Sequence, residues 1–238
     1  MSKIIYEIMH RENCVAQIST VGECKIYLED FMPYDLMLEE SNDFDKRIKN
    51  AMSFYSWCAS RMIPPDRTYA KEILNSIGAS QSVTDRERAQ IALSYHCLSL
   101  LDVFWVKEEN EKIRFEDINL FAHSLSNALV DIALRGHQMT VTNAHLLAND
   151  LSTGGLYPKA WVRKEDGFYL YKDGGRDAVE REVLASKICR CFDCHQVLYE
   201  QGMFENEPVS ISKIMTSQRY SLVTYAAYDV YCTNHDWN

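Results

Sequence analysis

Three short bursts of alternating apolar and polar residues open the chain, at residues 4–9, 14–18 and 24–28, with Arg11-Glu12-Asn13 and Gly22-Glu23 at the joints. A period of two with turn residues between bursts predicts a small, half-buried antiparallel sheet. From residue 43 the period changes. Ile48, Met52, Tyr55 and Cys58 recur at helical spacing until Pro64-Pro65 stops them. A second helix is expected over residues 69–77, closed by Gly78, and a third over 84–94, where Thr84 and Glu87 have capping-box spacing. Residues 99–106 form an apolar run ending in Phe104-Trp105, and 115–121 follow a charged turn. Their aromatics read as core residues rather than ligand-stacking ones. Residues 126–134 suit a short helix and 139–150 a connector, which places a boundary near residue 147.

Six of the nine glycines fall between Gly154 and Gly202, so turns multiply where the middle of the chain has few. The pattern there predicts strands over 157–163 and 168–172 joined at Lys164-Glu165-Asp166-Gly167, an Asp-Gly hairpin signal. A helix over 177–191 carries Val179, Val183, Leu184 and Ile188 on one face, and strands follow at 196–199 and 210–215. The expected class is α+β. An N-terminal region of mixed sheet and helix, residues 1–146, precedes an antiparallel sheet with one packed helix, residues 147–238, in the order β-β-α-β-β.

Composition narrows the function classes. With 47% hydrophobic and 25% charged residues the chain has the makeup of a folded globular protein. No run approaches the ~18 apolar residues of a membrane span and no secretory leader opens the sequence, so a soluble, cytoplasmic protein is expected. The formal charge of −9 argues against direct nucleic-acid binding. Of eight cysteines, five are scattered among apolar neighbours and read as packing residues. Cys191-Phe192-Asp193-Cys194-His195 matches the C-x-x-C-H pattern of haem attachment, and with Cys189 it could supply a Cys3His zinc site. Haem attachment needs export, and no second ligand pair supports zinc, so packing thiols are the preferred reading and no metal is expected.

A second constellation is Gly154-Gly155, Lys172 and Glu182. A glycine pair lets backbone N–H groups approach phosphates, a lysine on the next strand can pair with them, and a glutamate on the following helix can hold that lysine. From here the chain resembles the N-lobe of HipA-like serine/threonine kinases, nearest the Firmicutes variants. The resemblance rests on Ser152-Thr153-Gly154-Gly155-Leu156-Tyr157-Pro158-Lys159-Ala160-Trp161, Tyr169-Leu170-Tyr171-Lys172, Arg181-Glu182-Val183-Leu184-Ala185-Ser186 and the stretch Val209 to Thr216. Weaker similarity runs back through Ser99-Leu100-Leu101-Asp102-Val103-Phe104-Trp105-Val106, Arg61-Met62-Ile63-Pro64 and the first two strands.

The resemblance implies ATP as ligand, with Gly154 and Gly155 in the phosphate-covering loop, Lys159 closing it, Lys172 on the phosphates and Glu182 as its partner. It also implies Ser152 as a regulatory autophosphorylation site and a structural role for His195 at a strand start. In that family the catalytic base and Mg²⁺ ligands lie in the C-lobe beyond the hinge. The tail His235-Asp236-Trp237-Asn238 lacks the spacing of a catalytic loop. This chain is therefore expected to be inactive alone, with a weak or vestigial ATP site and Mg²⁺ only if a C-lobe is supplied. The partner expected is a protein: the missing C-lobe, an antitoxin or another target. The alternative is a non-catalytic docking protein that retained the fold.

Overall fold

The computed structural model describes residues 3–64, 66, 70, 74, 84–123, 152, 157–204 and 206–234. Strands β1 (Ile5–His10), β2 (Asn13–Ser19), β3 (Cys24–Ile26) and β4 (Phe104–Glu108) form one antiparallel sheet in the order β3-β2-β1-β4. The first two joints fall where the turn residues predict them. Arg11 turns the β1–β2 hairpin with φ 53°, and a register shift at Ile8/Met9 lets both of these neighbours bury. β3 ends two residues before the expected burst does, and a single 3₁₀ turn, Glu29–Phe31, follows. The apolar run through residue 106 supplies β4, which pairs with β1 across the whole length of α1 (Phe44–Ser60) and α2 (Asp85–Ser94) in sequence.

Both helices start where their caps say they should. Asp43 accepts a hydrogen bond from Lys46 N at 3.0 Å, and Thr84 and Glu87 form the reciprocal capping box. The two helices pack against each other, burying Phe54, Trp57 and Cys58 of α1 with Ala89 and Ala92 of α2. Trp105, Tyr95, Ile8 and Ile18 complete this core, and Phe115, in the one-turn helix α3 (Phe115–Ile118), stacks on Trp105 with ring centroids 6.4 Å apart. Trp105 and Phe115 are thus core residues, as their setting predicts, while Phe104 and Phe121 are half-buried against that core. Of the helix expected over 69–77, only Ala70 and Leu74 lie among the described residues, both helical and buried. Gly78, the helix expected at 126–134, the connector 139–150 and the boundary near 147 lie outside them.

The second sheet consists of β5 (Lys159–Lys164), β6 (Gly167–Lys172), β7 (Tyr199–Phe204) and β8 (Glu207–Lys213), in the order β5-β6-β8-β7, all antiparallel. Glu165-Asp166 makes the predicted hairpin turn, stapled by Tyr169 and Lys213, which both donate to Asp166. Helix α4 (Arg176–Cys189) packs on β7 and β8. The architecture is the expected α+β, with two four-stranded sheets. Two details depart from the periodicity. β7 begins at Tyr199, where the expected strand 196–199 ends, because Ser186 Oγ of α4 accepts from Tyr199 N at 2.8 Å and pins the strand start there. The buried face of α4 is Val179 and Ser186 flanked by Val183, whereas Leu184 and Ile188 are 57% and 53% exposed. The expected four-residue apolar face therefore splits, its outer half facing away from the sheet.

Helix α5 (Tyr225–Asn234), which no periodic signal announced, returns to the first sheet's side of the molecule, with Tyr231 stacked on Tyr34 at 4.4 Å. The segment before it is tied down by backbone groups. Leu222 N donates to Leu101 O at 2.7 Å, and Thr216 donates to Leu100 O. Trp161 and Phe168 of the second sheet join the same hydrophobic core as the first. Among the described residues no helix is long and apolar enough to cross a membrane.

Gly22 occupies the left-handed region at φ 79°, and a Cβ there would sit 1.7 Å from the Arg47 carbonyl oxygen of α1. Gly22→Ala should therefore cost about 2–3 kcal/mol, read as a lowered urea midpoint with unchanged slope. Burial also pushes the Cys14 and Cys24 thiols up to about 11 from an ordinary 9.0. A thiol whose folded value is raised gives full stability below pH 9 and loses it as pH rises through 11. Denaturation midpoints should fall between pH 9 and 11, and Cys14→Ala with Cys24→Ala should flatten that decline.

Candidate functional site

The edge-to-centre pair β5 and β6 brings two predicted cations into register. Lys159 and Lys172 are directly opposed Cα partners at the end of the sheet next to residue 158, so both stand at one end of the hairpin. Lys172 is the last residue of β6, and its even-numbered strand position puts it on the face that α4 covers. There its Nζ lies 3.1 Å from Glu182 Oε1 and 2.9 Å from the Tyr199 hydroxyl, 4.5 Å above that ring's centroid. Glu182 is held in turn: its other oxygen accepts from the Ser210 hydroxyl on β8. Three strands and one helix thus converge on one ammonium group.

The environment is half-buried, with the Lys172 and Glu182 side chains 20% and 34% exposed. Burial works against the Lys172 charge, but the bonds to Tyr199 and Glu182 outweigh it, and the ammonium is held above its ordinary value. Lys172 is therefore a fixed cation at any physiological pH. Two of its three N–H donors are committed to Glu182 and Tyr199 among the described residues, which leaves one to meet an anion. A carboxylate that orients a lysine while a hydroxyl orients the carboxylate can present positive charge without letting the side chain wander.

The sequence reasoning named Lys172 and Glu182, and the structure joins them. It places Lys159 at the same end of the sheet, while Gly154 and Gly155 lie outside the described residues. Ser152 is buried, its Oγ 2.6 Å from Ser99 Oγ, so a phosphate there would have to break that contact. Tyr199 and Ser210 were missed. A signal existed for the second: Ser210 and Ser212 are buried polar residues at alternate positions of β8, where an apolar face is the rule. Tyr199 carried none, since its strand was expected to end at it.

The cysteine cluster resolves differently from its reading as packing thiols. Cys189, Cys191 and Cys194 are all exposed at and beyond the end of α4, where the chain runs over the surface before β7. His195 is exposed too and precedes β7 by four residues rather than opening it. Among the described residues no three His, Cys, Asp or Glu side chains stand together as a metal site. By contrast Cys58 and Cys97 are fully buried, as packing residues should be.

Comparison of the chain with protein-family models, with curated proteins and with solved structures yields no match.

The pairing of Lys172 with Glu182 can be measured directly. In a double-mutant cycle with Lys172→Met and Glu182→Gln, the coupling free energy should be about 1 kcal/mol, the range of a partly screened pair with added hydrogen bonds. Tyr199→Phe should cost about 0.5–1.5 kcal/mol through the lost hydroxyl.

Proposed function

We propose that this chain carries the phosphate-contacting half of a nucleotide cleft, as the N-terminal region and N-lobe of a HipA-like kinase, with Lys172 as the residue that meets ATP phosphates. The observation that supports it is the Lys172–Glu182 contact, in which a lysine ending the second strand of a β-β-α-β-β unit is held by a glutamate of the helix that follows. That is the order in which a kinase N-lobe arranges its lysine and its helical glutamate. The residues fit a phosphate group: a permanent cation, fixed from two sides, with a donor remaining, and a second lysine at the same end of the sheet. Lys159, Gly154 and Gly155 would hold the rest of the triphosphate, and Ser152, two positions before the first of the glycines, is the regulatory position in this reading.

Bound ATP would supply the transferable phosphoryl group. Phosphoryl transfer draws most of its acceleration from positioning and from metal-assisted charge neutralisation. No base and no Mg²⁺ ligand is assigned among these residues, so the proposal is of binding, with turnover requiring a C-lobe.

A second reading, a docking protein that keeps the fold, is favoured by one observation. Leu184 and Ile188 on the outer side of α4, and Phe192 in the turn beyond its end, are all more than half exposed, apolar surface of the kind a protein partner covers.

A thermal-shift titration with ATP separates the two. The nucleotide reading expects a saturable rise in Tm that Lys172→Met abolishes while lowering the apo transition by no more than a few degrees. An equal rise in wild type and Lys172→Met would sink the site assignment. No response from either would move the weight to the docking reading.

A further inference from the structure

A cavity of about 370 Å³ lies where four segments meet: the loop at Tyr34 and Asp35, the C-terminal end of α1, the loop from Ser99 to Phe104, and the segment leading into α5. It is within the size range of small-ligand sites, and it lies apart from the Lys172 cluster, none of whose residues line it. Its aromatic lining comes from Tyr34, Trp57 and Phe104, and its charges are Arg61, Asp102 and Asp35.

Two of those charges are spent on each other. Arg61 Nη1 and Nη2 reach the two oxygens of Asp102 at 2.9 and 2.7 Å, its Nε donates to Cys97 O at 2.6 Å, and Nη2 also donates to Phe104 O. The guanidinium lies 4.8 Å from the Trp57 ring centroid, so its charge is matched within the wall. Asp35 differs. It is exposed at the edge of the cavity, and no ion pair engages it among the described residues. The cavity therefore carries one net negative charge at its rim and aromatic side chains around it.

An anion would meet that carboxylate and an already neutralised arginine. An apolar ligand would take water from Asp35 without replacing it. A cation with an alkyl stem satisfies both parts of the lining, since the charge can pair with the carboxylate and the stem can lie along aromatic surface. We propose that this cavity binds an alkylammonium or alkylguanidinium group, with Asp35 as counter-ion and Tyr34, Trp57 and Phe104 flanking the stem. Such a group comes either from a free polyamine or from a lysine or arginine side chain of another protein. The inference stands whether or not Lys172 meets a nucleotide.

The experiment is a thermal-shift and calorimetric titration of the full chain at constant ionic strength. The probes are spermidine, a glycine-flanked arginine peptide and the same peptide with citrulline, arginine's neutral isostere. Spermidine or the arginine peptide should bind saturably and raise Tm by about 3–6 °C at tenfold excess over Kd, and the tighter of the two identifies the source. Citrulline should leave Tm unmoved. Asp35→Asn should abolish the shift, and Ser221→Lys, which sets a cation against the same cavity from its rim, should abolish it with Asp35 intact. No saturable shift with either cation, an equal shift with citrulline, or a shift that survives both substitutions overturns the proposal. Should Asp35→Asn not fold, Ser221→Lys alone decides.

Discussion

Arg61 is the fixed point of the first sheet's surroundings. Taking a guanidinium out of water is expensive, and only a complete set of partners makes it tolerable. Here one stretch of chain supplies four bonds: Asp102 accepts from both Nη atoms, while the carbonyls of Cys97 and Phe104 accept from Nε and Nη2. The arginine's own carbonyl accepts from the buried Tyr95 hydroxyl at 2.8 Å. The end of α1 therefore cannot shift without unpairing the chain from residue 95 to 104. That chain enters β4, so the same network sets where β4 meets the edge of β1 and where Trp105 enters the core. It also holds Leu100 and Leu101 with their carbonyls turned to Thr216 and Leu222. The second half of the protein is thus docked onto backbone that Arg61 has already placed.

The second sheet solves a similar problem with less burial. Glu182 sits on a helix face otherwise fit for apolar residues, and it is tolerated there because Lys172 and Ser210 satisfy both of its oxygens. The apolar grip of α4 on the sheet is correspondingly narrow. Val179 is buried but Leu184 and Ile188 are not, and the bond from Tyr199 N to Ser186 supplies part of the register that packing would otherwise set. A helix anchored through its polar residues keeps one side of its surface apolar and uncovered.

The parts of this fold that the amino-acid order made legible are those governed by local rules. The capping box at Thr84, the change of period at residue 43, the Asp-Gly hairpin and the period-two bursts of the first strands each depend on residues within a few positions of one another, and each appears where expected. The Lys172–Glu182 pair was legible because strand and helix are consecutive. What was not legible depends on distant partners. The start of β7 is set by a serine on α4, the orientation of α4 by which of its apolar residues the sheet can reach, and α5 by Tyr34, almost two hundred positions earlier. The cysteines at 189, 191 and 194 misled for the opposite reason: a short motif reads the same on a surface turn as in a core, and only the path of the chain decides.

The ties between the two sheets also set a timetable. The bond from Thr216 to Leu100 spans 116 positions, and that from Arg11 to Gln218 spans 207. Contacts of such separation carry a large loop-closure cost before they return anything, which slows folding of the whole. On a ribosome the first sheet, with β1 already waiting for β4, can close once residue 108 has emerged. The second sheet must wait for residue 213 and α5 for residue 234. Until then the surface that receives them, including the Leu100 and Leu101 carbonyls and the mouth beside Tyr34, stands open on a nascent chain, and whatever meets it first in the cell competes with the protein's own C-terminal third.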